Sequence, residues 1–324
     1  MSAICFDLEG PLSPQDNAFE IMGLFENGRR IFEIISKYDD ILTLERRSNY
    51  EPGDTLKLII PFLLYHGVGD ADVRKVSDRA KLVDGAEKTV GQLVKGGWEV
   101  YIISTSYAQH AESIGARLGL DAGSVYCTRI RLDECRKYLE EDELTLIGEF
   151  EQSMLKLKEG SEIRDSLDSF YNKELAGSRI GHMLDGIAVC GGENKANAVA
   201  DIVKKSTSYV DEVIAVGDSI TDYKMLRMVR EAGGLSIVFN GNEYALPYGS
   251  VGVASITLES ILEIAEAFRL GGKDRARESV LSSKNNDQAC FHWLEGAGKE
   301  DMKEIAKVHM KFRQKVRGSA AKLG

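Results

Sequence analysis

The chain has 324 residues and 43% hydrophobic content, enough for a sizeable core in one large or two moderate domains. Its formal charge of −10 and pI of about 5.2 argue against nucleic acid as the main partner, because a phosphate backbone demands a basic footprint. Five scattered cysteines (Cys5, Cys127, Cys135, Cys190, Cys290) contain no CxxC pair, and the five histidines show no metal-ligand spacing. This pattern points to reduced thiols in a cytoplasmic protein rather than a disulfide framework.

Ala3–Phe6 is a short apolar run that stops at Asp7 and is broken by Gly10 and Pro11, as expected of a buried strand ending in a loop. It starts almost at the initiator Met, which leaves no room for a signal peptide. From Asn17 to about Arg79 the apolar residues recur at helical intervals: Phe19, Met22, Phe25, Ile31, Ile34 and Ile35, then Leu56, Ile59, Ile60 and Leu63. The longest apolar run, Leu58 to Tyr65, is far too short to span a bilayer. Asp84-Gly85-Ala86 opens a helix that Gly96-Gly97 closes, and Glu99–Ile103 is a strand running into Ser104-Thr105-Ser106. A helix through Ile114 and Leu118 follows, so helix and strand alternate as in a parallel α/β sheet.

Val125 to Arg131 has strand character. Asp133 to about Leu184 is charged and helical in pattern. Asp185–Cys190 returns to strand character, and Asn194–Lys204 is a helix. Val213–Val216 is a strand ending at Gly217-Asp218, Thr221–Glu231 a helix, and Leu235–Phe239 and Val251–Ala254 the last strands. From Thr257 onward the pattern is wholly helical. Its basic tail (Lys299, Lys303, Lys307, Lys311, Arg313, Lys315, Arg317) is expected to be a solvated face with a frayed end.

Three strands thus end in polar chemistry: Asp7 and Glu9, Ser104, and Asp218 with Asp222. In an open parallel sheet the carboxyl ends of strands share one edge, where ligands bind, so segments far apart in sequence can converge. A trio of carboxylates repels itself unless a hard cation sits among them, and Mg²⁺ suits oxygen ligands.

In this order and at these boundaries, the residues resemble the haloacid dehalogenase (HAD) superfamily. Phe6-Asp7-Leu8-Glu9-Gly10 resembles its first motif, Ser104 its second, Lys195 in Glu193-Asn194-Lys195-Ala196 its third, and Ala215-Val216-Gly217-Asp218-Ser219-Ile220-Thr221-Asp222 its fourth. Phosphoserine phosphatase-like members are the most similar. There is a weaker likeness to a HAD-type subunit of energy-converting hydrogenase A. The resemblance implies a Rossmann-like open parallel sheet as the core (residues 1–14, 80–132 and 185–256). It also implies a helical cap inserted after the first strand (15–79), with a helix-rich insertion (133–184) and a C-terminal helical extension (257–324) that the family leaves unexplained.

By the same resemblance Asp7 is the nucleophile that becomes an aspartyl phosphate, and Glu9 the acid and base. Ser104 and Lys195 complete the catalytic set, and Asp16, Thr105 and Ser106 would bind substrate. Mg²⁺ would be held by Asp7, the Glu9 carbonyl and Asp218, with Asp222 acting directly or through water. The implied activity is Mg²⁺-dependent hydrolysis of a small phosphorylated cytoplasmic metabolite, with no nucleic-acid or membrane partner. Phosphotransfer through the same intermediate, or a non-catalytic subunit binding a protein through the insertion or C-terminal helices, is the alternative. Two positions depart from the pattern: Glu9 stands where Asp is usual, and Ile59 where phosphoserine phosphatases carry a carboxylate-binding arginine.

Overall fold

In the computed structural model, residues 2–45, 47, 50–158, 160–206 and 209–322 are described. A seven-stranded sheet is built from β1 (Ala3–Phe6), β2 (Glu99–Tyr107), β3 (Val125–Thr128), β4 (Val213–Gly217), β5 (Leu235–Phe239), β6 (Val251–Ser255) and β7 (Ala289–Trp293). Their order is β3-β2-β1-β4-β5-β6-β7, parallel except for β7. From β1 the chain first winds outward through β2 and β3, then returns to lay β4 on the other side of β1. The order therefore reverses between β1 and β4, and a crevice opens at their carboxyl ends.

Both faces of the sheet are covered, which explains why its strands are apolar runs rather than alternating ones. The period of two still sorts the residues. Ile4 and Phe6 join one core with Ile214 and Val216, whereas Ala3 and Cys5 join the opposite core with Val213 and Ala215. The helix Ala86–Lys95 lies on the first face through Val90 and Leu93. The helices Gly192–Ser206 and Tyr223–Glu231 lie on the second, through Val199, Ile202, Met225 and Leu226.

Between β1 and β2 the described residues contain helices and no strand. The longest of them, Gly28–Leu44, buries Ile31, Phe32, Ile34, Ile35, Tyr38 and Leu42 at helical spacing. The segment 133–184 is not a separate body: Ile147, Phe150, Met154, Leu167 and Phe170 share one apolar core with Ile31, Ile35, Phe62 and Leu63. Phe150 and Phe170 stack at 3.8 Å with Phe62 6.2 Å from Phe170, a contact between segments about a hundred residues apart.

Two expectations need correction. Asp185–Cys190 is not a strand. Asp185 ends the helix Arg179–Asp185, and both slots beside β1 are taken by β2 and β4, so Ile187 and Val189 pack on the helical core instead. Nor is the chain wholly helical after Thr257. The helix Leu262–Ser282 is broken at Gly271 and Gly272, the latter with φ of 64°, and Ala289–Trp293 adds an antiparallel edge strand to β6. The helix Lys299–Arg317 then crosses back over β6. Gly252 of β6 makes that close approach possible, because a side chain there would occupy the space of the His309 ring.

Candidate active site

Asp7 continues β1, its N–H donating to the Val216 carbonyl of β4 at 2.8 Å, so the sheet itself aims this carboxylate at the crevice. Asp218 leaves β4 beside it. Gly10, at φ +119°, lets the first loop fold over the Asp218 carboxylate, since any Cβ there would collide with it. One oxygen from each of Asp7, Asp218 and Asp222 can be chosen so that all three lie within 4.8 Å of one another. Segments two hundred residues apart therefore meet as the strand-ending pattern predicts.

Lys195 is wholly buried and bridges this group, with Nζ 2.7 Å from Asp7 Oδ1 and 2.6 Å from Asp222 Oδ1. Burial by itself would lower the ammonium's pKa, but the Asp222 and Asp7 carboxylates outweigh it and raise it. The Asp7 carboxyl is pushed well up, first by burial and then by the Asp222 charge, with Lys195 pulling the other way. Asp222 is fully committed: Oδ1 accepts from Lys195, and Oδ2 accepts the N–H groups of Asp218 at 2.9 Å and Ser219 at 3.0 Å. It shapes the loop that presents Asp218.

Glu9 sits on the helical side of the crevice. Its Oε1 accepts from the Ser106 hydroxyl at 2.6 Å and from the Asn17 N–H at 3.0 Å. Burial, and then the nearby Asp16 charge, push its pKa up to about 7, against the pull of those two hydrogen bonds. A carboxyl so poised can both give and take a proton near neutrality. Asp16 caps the helix Asn17–Met22 through the Phe19 N–H at 2.9 Å and also lines the cavity. Thr105 lines the cavity too. Ser104 is buried, and its hydroxyl oxygen accepts the Ser106 N–H at 3.1 Å. Ile59 lies in the apolar core of the helices, away from the cavity.

The cavity that Asp7, Glu9, Asp16 and Thr105 line is partly open to solvent and offers about 70 Å³. A larger open groove near Gln109, Arg129 and Arg131 shares none of these groups.

A hard cation fits the centre. The donor set is oxygen only, and Asp218 Oδ1 is buried without a hydrogen-bond partner while Oδ2 is engaged. What engages Oδ2 was not expected. Arg313 and Arg317 of the C-terminal helix both donate to it, Arg317 at 2.8 Å. The expectation of a solvated face with a frayed end therefore fails for these two residues. A signal was available: His309, Arg313 and Arg317 recur every four residues, and each lies two residues after a lysine (Lys307, Lys311, Lys315), on roughly the opposite side of the helix from it.

An open parallel sheet with acids after β1 and β4, hydroxyls in the last residues of β2 and a buried lysine between them has the HAD-type fold of the phosphoserine phosphatases. Solved phosphoserine phosphatases share it. A phospho-aspartyl intermediate analogue is 19% identical, with a TM-score of 0.53 over 81% of this chain and 97% of that one. A substrate-bound complex is 20% identical, with a TM-score of 0.50 over 81% and 97%. More specifically, the chain belongs to the family of gene product AF1437 from Archaeoglobus fulgidus, which is 30% identical over 100% of this chain and 99% of that one, with a TM-score of 0.88. Neither a protein-family model nor a curated protein matches the sequence.

Proposed function

We propose that the chain is a Mg²⁺-dependent phosphomonoester hydrolase that works through an aspartyl phosphate on Asp7. The observation that carries this reading is the Asp7–Lys195–Asp222 bridge lying beside Glu9 and the unpartnered Asp218 Oδ1, all at the reversal point of the sheet. Asp7, Asp218 and the Glu9 carbonyl would hold the cation, with Asp222 orienting the Asp218 loop and Lys195. The cation supplies charge neutralisation at the phosphoryl oxygens, without which one anion would be asked to attack another.

Asp7 attacks phosphorus as the ester oxygen departs, and Glu9 gives that oxygen a proton. Glu9, now a carboxylate, takes a proton from the water that attacks the aspartyl phosphate, which returns Asp7 and releases inorganic phosphate. Lys195 holds Asp7 ionised and oriented. Thr105 lines the phosphoryl side, the Ser106 hydroxyl orients Glu9, and Ser104 accepts the Ser106 N–H to hold the end of β2 in place. Asp16 faces the leaving group.

Helices within 15–79 act as a cap. Closing over the site, the cap would exclude bulk water from the first step, and opening would admit substrate. The expected substrate is a small phosphorylated metabolite in the cytoplasm, a compartment that the five unpaired thiols fit. The test is phosphate release from a panel of phosphomonoesters with Mg²⁺ or a chelator, comparing wild type with Asp7→Asn. Mg²⁺-dependent release that Asp7→Asn abolishes supports the reading, and release that survives the substitution sinks it. Adding small alcohols reveals transfer: phosphorylated alcohol in place of inorganic phosphate would make the chain a phosphotransferase.

A further inference from the structure

Phosphate chemistry in the core needs Asp7, Glu9, Lys195 and Asp218, yet the C-terminal helix adds two more cations to the same centre. His309, Arg313 and Arg317 are spaced by four and share a helix face. His309 Nδ1 accepts the Gly241 N–H at 3.2 Å, which fixes the helix against the loop after β5. One turn on, Arg313 is completely buried. Its Nε donates to the Ala321 carbonyl at 3.0 Å, and its Nη1 donates to Asp218 Oδ2 and reaches the Asn240 carbonyl at 3.4 Å.

Arg317, 8% exposed, donates from Nη1 to Asp218 Oδ2 at 2.8 Å and from Nε to the Pro14 carbonyl at 3.3 Å. Among the described residues, none accepts a hydrogen bond from its Nη2. Arg317 lines the cavity beside Asp7, Glu9, Asp16 and Thr105, and among the described residues it is the only basic side chain that does.

The charge count gives this a purpose. Asp7, Asp218 and Asp222 bring three negative charges, which Lys195, Arg313 and Arg317 balance with three positive ones. A divalent cation then leaves the centre with two positive charges, matching a phosphomonoester dianion. Without the two arginines the loaded centre would be neutral toward it. On the Asp218 carboxylate both arginines donate to Oδ2, so Oδ1 stays available to the cation.

We propose that Arg317 is a phosphoryl-binding residue delivered by the C-terminal helix, its outer guanidinium nitrogen donating to a phosphoryl oxygen. Arg313 is the positioning residue that holds Asp218 and anchors the helix. This rests on the phosphatase reading for the identity of the bound group, but equilibrium binding tests it without turnover.

The experiment titrates inorganic phosphate calorimetrically into the full chain with Mg²⁺ present, and Mg²⁺ separately without phosphate. It compares wild type, Arg317→Met and Arg317→Lys, with thermal unfolding as a check on folding. A charge-assisted bond predicts a roughly ten- to hundredfold loss of phosphate affinity in Arg317→Met. Its Mg²⁺ affinity is expected to be unchanged or tighter, because a positive charge has left Asp218. Arg317→Lys keeps the charge but loses the planar fork, and is expected to lose less.

A merely structural arginine would weaken both affinities together and lower the melting temperature. That outcome overturns the proposal, as does unchanged phosphate affinity in Arg317→Met or a wild type that binds no phosphate. If Arg317→Met does not fold, Arg317→Lys decides: phosphate weakened at constant Mg²⁺ affinity supports the proposal, and phosphate unchanged ends it. Phosphate bound through Arg317 by a chain that hydrolyses no ester would refute the phosphatase reading alone. Normal hydrolysis with phosphate binding indifferent to Arg317 would refute this proposal alone.

Discussion

Replacing Lys195 by Met keeps most of the side-chain volume and removes one buried positive charge. In the native structure that charge lies 2.7 Å from Asp7 and 2.6 Å from Asp222, with no exposure to water. Its loss leaves two buried carboxylates uncompensated beside the third, Asp218. Breaking a buried pair by removing one partner costs about 3–5 kcal/mol. With a melting entropy of roughly 2.1 cal/mol/K per residue, a 324-residue chain converts this into a fall in Tm of about 4–7 °C.

Two conditions should shrink that gap. Added Mg²⁺ replaces the missing positive charge. Lower pH helps because the Asp7 carboxyl, already raised by burial and by Asp222, rises further once the lowering influence of Lys195 is gone. A folded-state pKa above the unfolded value means that the folded form binds more protons, so the penalty is present above the folded pKa and fades as pH falls through it. Calorimetric unfolding of wild type and variant in chelator and in Mg²⁺, at mildly alkaline and mildly acidic pH, reads all three effects. A variant that melts with wild type in chelator at alkaline pH would refute the charge-balance argument, as would a gap that Mg²⁺ leaves untouched.

Glu9→Gln keeps the backbone carbonyl, so Mg²⁺ affinity should hold while alkyl phosphates lose about 10²- to 10⁴-fold in rate. An activated aryl phosphate, whose phenolate leaves unaided, should still phosphorylate Asp7 and build up acid-stable phospho-enzyme. Equal slowing of aryl and alkyl esters would remove Glu9 from the acid role. His110, with both ring nitrogens unpartnered, has its pKa held down to about 3 by burial and then by Arg117. Its contribution to stability is complete above the unfolded value near 6.5 and is lost as pH falls below it, about 1.3 kcal/mol between roughly pH 7.5 and 5.5. His110→Leu should flatten the denaturant-measured stability profile over that interval, and an unchanged slope would show that the ring is not buried neutral. Phe170→Ala empties the stack on Phe150 and should cost about 3–5 kcal/mol. Hydrogen exchange should then show the helices of 17–77 and 141–184 losing protection together, and protection lost in only one segment would contradict their shared core.

Much of this centre was legible without coordinates. An apolar run that stops at Asp7, another that runs into Ser104 and a third that stops at Gly217-Asp218 are local patterns set by burial of both sheet faces, although β2 itself continues to Tyr107. Parallel topology alone sends all three ends to one edge, so the convergence of Asp7, Lys195, Asp218 and Asp222 follows from residue order. What local pattern could not supply is which surfaces meet. Charged helices at 133–184 look self-contained, but their apolar stripe is too small to bury alone and is completed by Phe62 and Leu63. Ala289–Trp293 becomes a strand because the edge of β6 stands open to receive it. Arg313 and Arg317 look like neighbours of five solvated lysines, and only the crossing over β6, permitted by Gly252 and pinned at His309, turns their face inward to Asp218. A long cationic side chain is at home in water or against a buried carboxylate, and its sequence neighbours are the same in both cases. Tertiary packing alone decides between them.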